Sequence, residues 1–210
     1  MSERPWEEKV SVAELEEINR VSDITASATN VLYSVLLNHM GSLRGRSVLE
    51  IGCGNGKGTV LVSMAVGREG EVLATDNDPA AIRGAEERVR AAGGNNVRFT
   101  VVDCQDLQGV PSDSYDAVIG NLVIHLVDSP GDALEEALRV LKPGGAFCFS
   151  CGGTARDEQH CFVTASASCV LQSSGDHDKA EAWLHSTKSK GTIAYMRALL
   201  SLHGFESVVG

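Results

Sequence analysis

No run of this sequence reaches the roughly 18 to 20 consecutive apolar residues that a bilayer-spanning helix requires, so no transmembrane segment is expected. The opening residues MSERPWEE lack both the apolar core of a signal peptide and the arginine-rich bias of a transit peptide, which makes the cytosol the default compartment. Basic charge is thin: 18 Lys and Arg stand against 28 Asp and Glu, a net charge of -10, with no basic cluster. Binding a phosphate backbone takes several neutralising cations, so nucleic acid is an unfavourable partner. Six cysteines (Cys53, Cys104, Cys148, Cys151, Cys161 and Cys169) lack the spacing of a disulfide framework. Cys148 and Cys151 form one C-x-x-C, but three positions along a strand point to opposite faces, and no metal site is assigned. Internal repeats and low-complexity linkers are also missing.

What is present suits one α/β domain: 210 residues, 43% hydrophobic and 22% charged. Two helical stretches, 12–21 and 25–40, come first, and residues 1–45 are expected to cap a site as N-terminal helices. From 46 to 210 a single domain is expected. Strand patterns at 48–51, 72–75, 97–102, 117–120 and 146–150 alternate with helix patterns at 59–66, 79–92 and 132–141. Asp78-Pro79 reads as a helix cap followed by proline at the first helical position, and Pro143-Gly144-Gly145 as a helix stop. Such alternation predicts a doubly wound, mostly parallel sheet in three α/β/α layers. The Ser/Ala-rich stretch 152–190 breaks the rhythm and is expected to be an insertion or lid, with 180–185 its fair helical piece. A helix at 192–202 and a strand beginning at Phe205 follow. Ligands of such sheets lie beyond the carboxyl ends of the strands, where the topology reverses.

The first strand end is the most informative. Closely spaced glycines at Gly52, Gly54, Gly56 and Gly58 let backbone N–H groups approach a ligand at a helix start. The dinucleotide fingerprint G-x-G-x-x-G fails from Gly52 because position 57 is Lys57, and from Gly54 because position 59 is Thr59. The phosphate loop G-x-x-x-x-G-K-[ST] fails at Ile51 and again at Gly58. An acid followed by G-x-G-x-G is left.

The segment VLEIGCGNG at 48–56 closely resembles motif I of class I S-adenosylmethionine-dependent methyltransferases, a Rossmann-like family. YDAVIGNLVIHLVD at 115–128 is similar to the fourth-strand motif of its small-molecule, UbiE-like branch, and LKPGGAF at 141–147 matches the turn into the fifth strand. The resemblance covers about residues 46–150 and continues weakly over 199–208. It implies S-adenosyl-L-methionine as the methyl donor. Glu50 would receive the donor's ammonium group, with Gly52, Cys53, Gly54, Asn55 and Gly56 around its methionine part. Asp76 with Asn77 would hold the ribose, Asp103 and Cys104 the adenine, and Asn121 and Leu122 the methionine side and the acceptor mouth. Charge favours this donor, whose ammonium and sulfonium are cations and which carries no phosphate. Plainer roles stand beside these: a turn carboxylate for Glu50, a helix cap for Asp78, a solvated loop acid for Asp103.

Family members normally close the sheet with a seventh, antiparallel strand. Here the sixth begins at Phe205 and the chain stops at Gly210, so that strand is expected to be missing or supplied by another segment. The expected activity is methyl transfer to a small-molecule or lipid-like acceptor, with His125 as general base or else a packed histidine. His160, His177 and His185 read as surface residues of the insertion. A non-catalytic donor-binding module is the alternative, and Cys151 with Cys161 raises a thiol or metalloid acceptor. Acceptor and oligomeric state are not set by the sequence.

Overall fold

The computed structural model describes residues 28–124, 126–151, 163–169 and 205–209. In chain order these are helix α1 (Ala28–Met40), strand β1 (Ser47–Ile51), α2 (Lys57–Val66), β2 (Glu71–Asp76), α3 (Pro79–Ala91), β3 (Val97–Val101), β4 (Tyr115–Asn121), α4 (Pro130–Val140), β5 (Leu141–Cys151), β6 (Val163–Cys169) and β7 (Phe205–Val209). The helices expected at 12–21, 180–185 and 192–202 lie outside the described residues, as do His125, His160, His177, His185 and Cys161.

The strands form one seven-stranded sheet in the order β3-β2-β1-β4-β5-β6-β7. β1 to β5 are mutually parallel. This is the predicted Rossmann-like α/β architecture. Alternate residues of each strand serve opposite faces, because the side-chain period of a strand is two. Leu49 and Ile51 of β1 join Val118, Phe147, Phe149 and α4's Leu134 in one core. Val48 joins Ile119, Cys148 and the α1 and α2 residues Leu36, Leu37, Leu61 and Val62 in the other. Burial on both faces is why these strands read as continuous apolar runs.

Two expectations about the far edge change. Strand β5 starts at Leu141 and not at Ala146. Tyr115 pairs with Leu141 and Ala117 with Ala146, so the Lys142 to Gly145 turn bulges out of a strand already begun. The antiparallel strand expected to be missing is present: β6, from within the 152–190 stretch, runs antiparallel to β5, and β7 antiparallel to β6. Phe147, Cys148 and Phe149 are wholly buried, and a buried strand must pair its outer backbone groups. The sequence of β6, VTASASC, alternates apolar and polar residues, but its apolar side is only Val, two Ala and Cys inside a Ser/Ala-rich stretch, too small a hydrophobic signal to announce that role.

Helix α3 begins as expected, with Asp78 Oδ1 accepting from Ala80 N at 2.8 Å and Pro79 at the first position, a cap worth about 1 kcal/mol. The long connection from β3 to β4 is pinned by α4. Arg139 donates to the carbonyls of Val110 and Leu107, and Glu136 accepts from Leu107 N. This bracing fixes the loop that carries Asp103. Among the described residues no helix is long and apolar enough to cross a membrane.

Candidate functional site

The chain order reverses between β1 and β4: β2 and β3 extend the sheet to one side of β1, and β4 returns to the other. The loops leaving β1 and β4 meet at this crevice. Gly52 has φ +64°, and a Cβ on it would lie 2.6 Å from Val123 Cγ2, so only glycine lets the two loops touch. Gly56, at φ +78°, turns the chain into α2 with Ala85 Cα 2.7 Å from where its Cβ would be. Gly54 faces open space.

A cavity of about 330 Å³ opens here. Of the residues expected at the donor site, Gly52, Asp76, Asn77, Asp103, Cys104 and Leu122 line it. Three lining residues are aspartates (Asp76, Asp103 and Asp128), and none of the described ones is Lys or Arg. Asp76 is fixed at both oxygens: Oδ2 accepts from Gly54 N at 2.8 Å and Oδ1 from Asp78 N at 3.0 Å. A carboxylate has about four acceptor positions, which leaves two for a ligand.

The other expected residues lie around the cavity without lining it. Asn55 is exposed on the α3 side, where its carbonyl accepts from Arg88 Nε. The Asn121 side chain accepts from Ser150 Oγ at 2.5 Å, which ties it to β5. Leu122 adopts φ +58°, unusual for a residue with a Cβ, and its N–H donates to Ser150 O. Burial, aided by the charges of Glu50 and Asp76, holds the Cys53 thiol far above its ordinary range. Burial, with Asp103 beside it, lifts Cys104 to about 12. Both are protonated near neutrality and behave as small apolar groups.

Glu50 is 0% exposed. Its Oε1 accepts from Tyr33 Oη at 2.5 Å, while Oε2 and the neighbouring Thr59 Oγ1 have no hydrogen-bond partner. Desolvation raises the carboxyl to about 7 against the opposing hydrogen bond from Tyr33 and the nearby Thr59 hydroxyl. Sequence reasoning missed Tyr33 and also Gln105. Gln105 Nε2 donates to both Asp103 oxygens, and its Oε1 accepts from Ser129 N at 2.6 Å, joining the β3 end to the start of α4. No spacing rule links Tyr33 to Glu50 or Gln105 to Ser129, which meet only in the fold.

The family model described as a methyltransferase domain matches residues 43–196. The chain belongs to that family. Over 106 residues, half of this chain, the methyltransferase domain is 37% identical to the ubiquinone/menaquinone biosynthesis C-methyltransferase UbiE of Azotobacter vinelandii, covering 42% of that protein. It is 33% identical over 106 residues to an arsenite methyltransferase of Halobacterium salinarum, covering half of this chain and 27% of that one. The chain thus spans less than half the length of these curated relatives. Among solved structures, an S-adenosylmethionine-dependent methyltransferase from Aquifex aeolicus superposes with a TM-score of 0.57 at 25% identity, covering 69% of this chain and 77% of that one. An arsenic(III) S-adenosylmethionine methyltransferase from Chlamydomonas reinhardtii gives 0.50 at 33% identity, covering 52% and 40%.

Proposed function

We propose that this methyltransferase domain moves a methyl group from S-adenosyl-L-methionine to a small-molecule or lipid-like acceptor in the cytosol. The observation that carries the reading is the acidic cavity at the topological switch point, three aspartates with no described Lys or Arg in its lining. A pyrophosphate would be repelled there, whereas a ligand bearing ammonium and sulfonium cations is attracted. The donor supplies a methyl group already activated by its sulfonium, so the protein's tasks are alignment and exclusion of water.

Glu50 fits the ammonium end, since its buried Oε2 lacks a partner. The turn from Gly52 to Gly56 cradles the methionine part, with Cys53 and Asn55 shaping it. Asp76, next to Asn77, accepts the ribose hydroxyls with the positions left free by Gly54 and Asp78. Asp103 and Cys104 flank the adenine. Asn121 and Leu122 border the acceptor mouth, beside Leu126, whose 74% exposure offers an apolar wall. His125 is assigned as the base for an acceptor that must lose a proton, because it follows β4 between buried Ile124 and exposed Leu126. Of residues 1–45, those ahead of α1 are read as a cap, and of residues 152–190, those outside β6 as a lid; α1 packs on the sheet and β6 belongs to it. Acidity of the chain and the small-molecule substrates in the relatives' names favour a small acceptor over nucleic acid.

Calorimetry with S-adenosylmethionine, NAD and ATP tests the donor: binding of the first alone is expected, and preference for a pyrophosphate ligand overturns the reading. Transfer of labelled methyl groups into a metabolite extract tests the activity. A His125→Ala variant with undiminished single-turnover methylation removes that residue from the chemistry.

A further inference from the structure

Helix α1 precedes the family-matched residues 43–196, yet one of its side chains reaches Glu50 at the end of β1. Tyr33 is 2% exposed, and its ring lies over Gly58, where a Cβ would sit 1.9 Å from the ring carbon Cζ. Any larger residue at 58 displaces that ring, so the start of α2 and the tyrosine of α1 form one packed unit. The Tyr33 hydroxyl donates to Glu50 Oε1, while Oε2, equally buried, accepts from nothing. A buried carboxylate held at one oxygen and open at the other is costly until a cation or donor meets it.

We propose that Tyr33 is a positioning residue for donor binding: it clamps one oxygen of Glu50 so that the other meets the incoming ammonium group, and the carboxyl proton leaves to solvent as that cation arrives. This rests on the assignment of Glu50 to the donor's ammonium end. The titratable groups facing Glu50 are Tyr33 from α1, Cys53 from the turn and Asp76 from β2. Thr59 from α2 and the register partners Ala74 of β2 and Ile119 of β4 do not titrate. None of these is a cation, so burial prevails and Glu50 stands at about 7, with the Tyr33 hydrogen bond first and the Thr59 hydroxyl second pulling it down. Near neutrality the free protein is therefore part protonated at Glu50, and only the charged fraction is ready for the ammonium group.

The test is titration calorimetry of the full chain with S-adenosylhomocysteine, which keeps the ammonium and adenosine ends, between pH 5.5 and 8 in buffers of different ionisation enthalpy. Wild-type affinity is expected to rise about 30-fold across that range, with proton release at pH 6.5, as the ready fraction grows. Glu50→Gln should bind with no proton release and a flat profile. Tyr33→Phe keeps the ring over Gly58 but loses the hydroxyl. Its profile should move to higher pH, with affinity at pH 7 about ten- to a hundredfold weaker. A purely structural tyrosine would weaken binding at every pH without moving the midpoint. Wild-type binding without proton release, or a Tyr33→Phe profile that keeps its midpoint, overturns the inference and leaves the functional reading standing. No binding by wild type at any pH fails the functional reading itself.

Discussion

Two carboxylates on neighbouring strands show how differently the two ends of this sheet are built. Asp116, at the start of β4, accepts from Ser47 N at 2.9 Å and Lys142 Nζ at 3.0 Å and lies 3.6 Å from Arg46. Burial alone would raise its pKa, but these donors and cations together hold it below the ordinary range. Glu50, at the far end of adjacent β1, has one hydroxyl, one open oxygen and no described cation, and burial lifts it to about 7. The same chemical group is thus spent on holding strands together at one end and left wanting at the other. An unsatisfied buried charge is destabilising unless a ligand completes it, which supports the donor site proposed at the unfinished end.

The largest expected effect comes from the site end. Asp76→Ala removes the acceptor for Gly54 N and, on the proposed reading, for two ribose hydroxyls, and each such bond to a charged group is worth about 1.5 to 3 kcal/mol. Donor affinity should fall at least a hundredfold by calorimetry, and unchanged affinity would remove Asp76 from the site.

Glu50→Gln sharpens the contrast by separating stability from binding. The folded protein keeps a proton on Glu50 that the unfolded chain releases between about 4.5 and 7, so wild-type stability should fall as pH rises through that window. The glutamine variant lacks this loss and should be more stable at pH 8 by about 1 to 3 kcal/mol in urea unfolding, while binding the donor more weakly. A variant less stable than wild type at pH 8 contradicts the unfinished character of this end.

Asp116→Asn should behave oppositely. Its folded-state pKa is depressed, so its contribution is present above the unfolded value and is lost as pH falls through the depressed one. We expect a loss of about 1 to 2 kcal/mol at pH 7, a shallower acid limb of the stability profile, and unaltered donor affinity. The smallest effect belongs to Glu71→Gln, whose pair with Arg98 is exposed on both sides; unfolding midpoints should barely move, within about 0.5 kcal/mol.

Much of this was legible before any fold was known. The apolar runs of β1, β2 and β4, the Asp78-Pro79 cap and the glycines after β1 specify their own local structure, because strand burial, capping and positive φ are local demands on residue type. The acids at positions 50, 76 and 103 stood out because each lies at or just past the carboxyl end of a strand, Glu50 also within the motif I resemblance. Less legible was anything joining distant segments. β6 alternates but carries mostly small apolar residues, and it pairs with the open side of β5; Tyr33 reaches Glu50 across 17 residues; Gln105 reaches Ser129 across 24.

The sequence by itself therefore determined the parallel α/β plan, the turn at the first strand and the acids beside it. The tertiary structure decided which of those acids is satisfied, which strand closes the far edge, and that a helix ahead of the family-matched stretch hydrogen-bonds Glu50. Conformational preferences are read within a few residues, whereas burial and hydrogen-bond completion depend on what the whole chain brings to the same place.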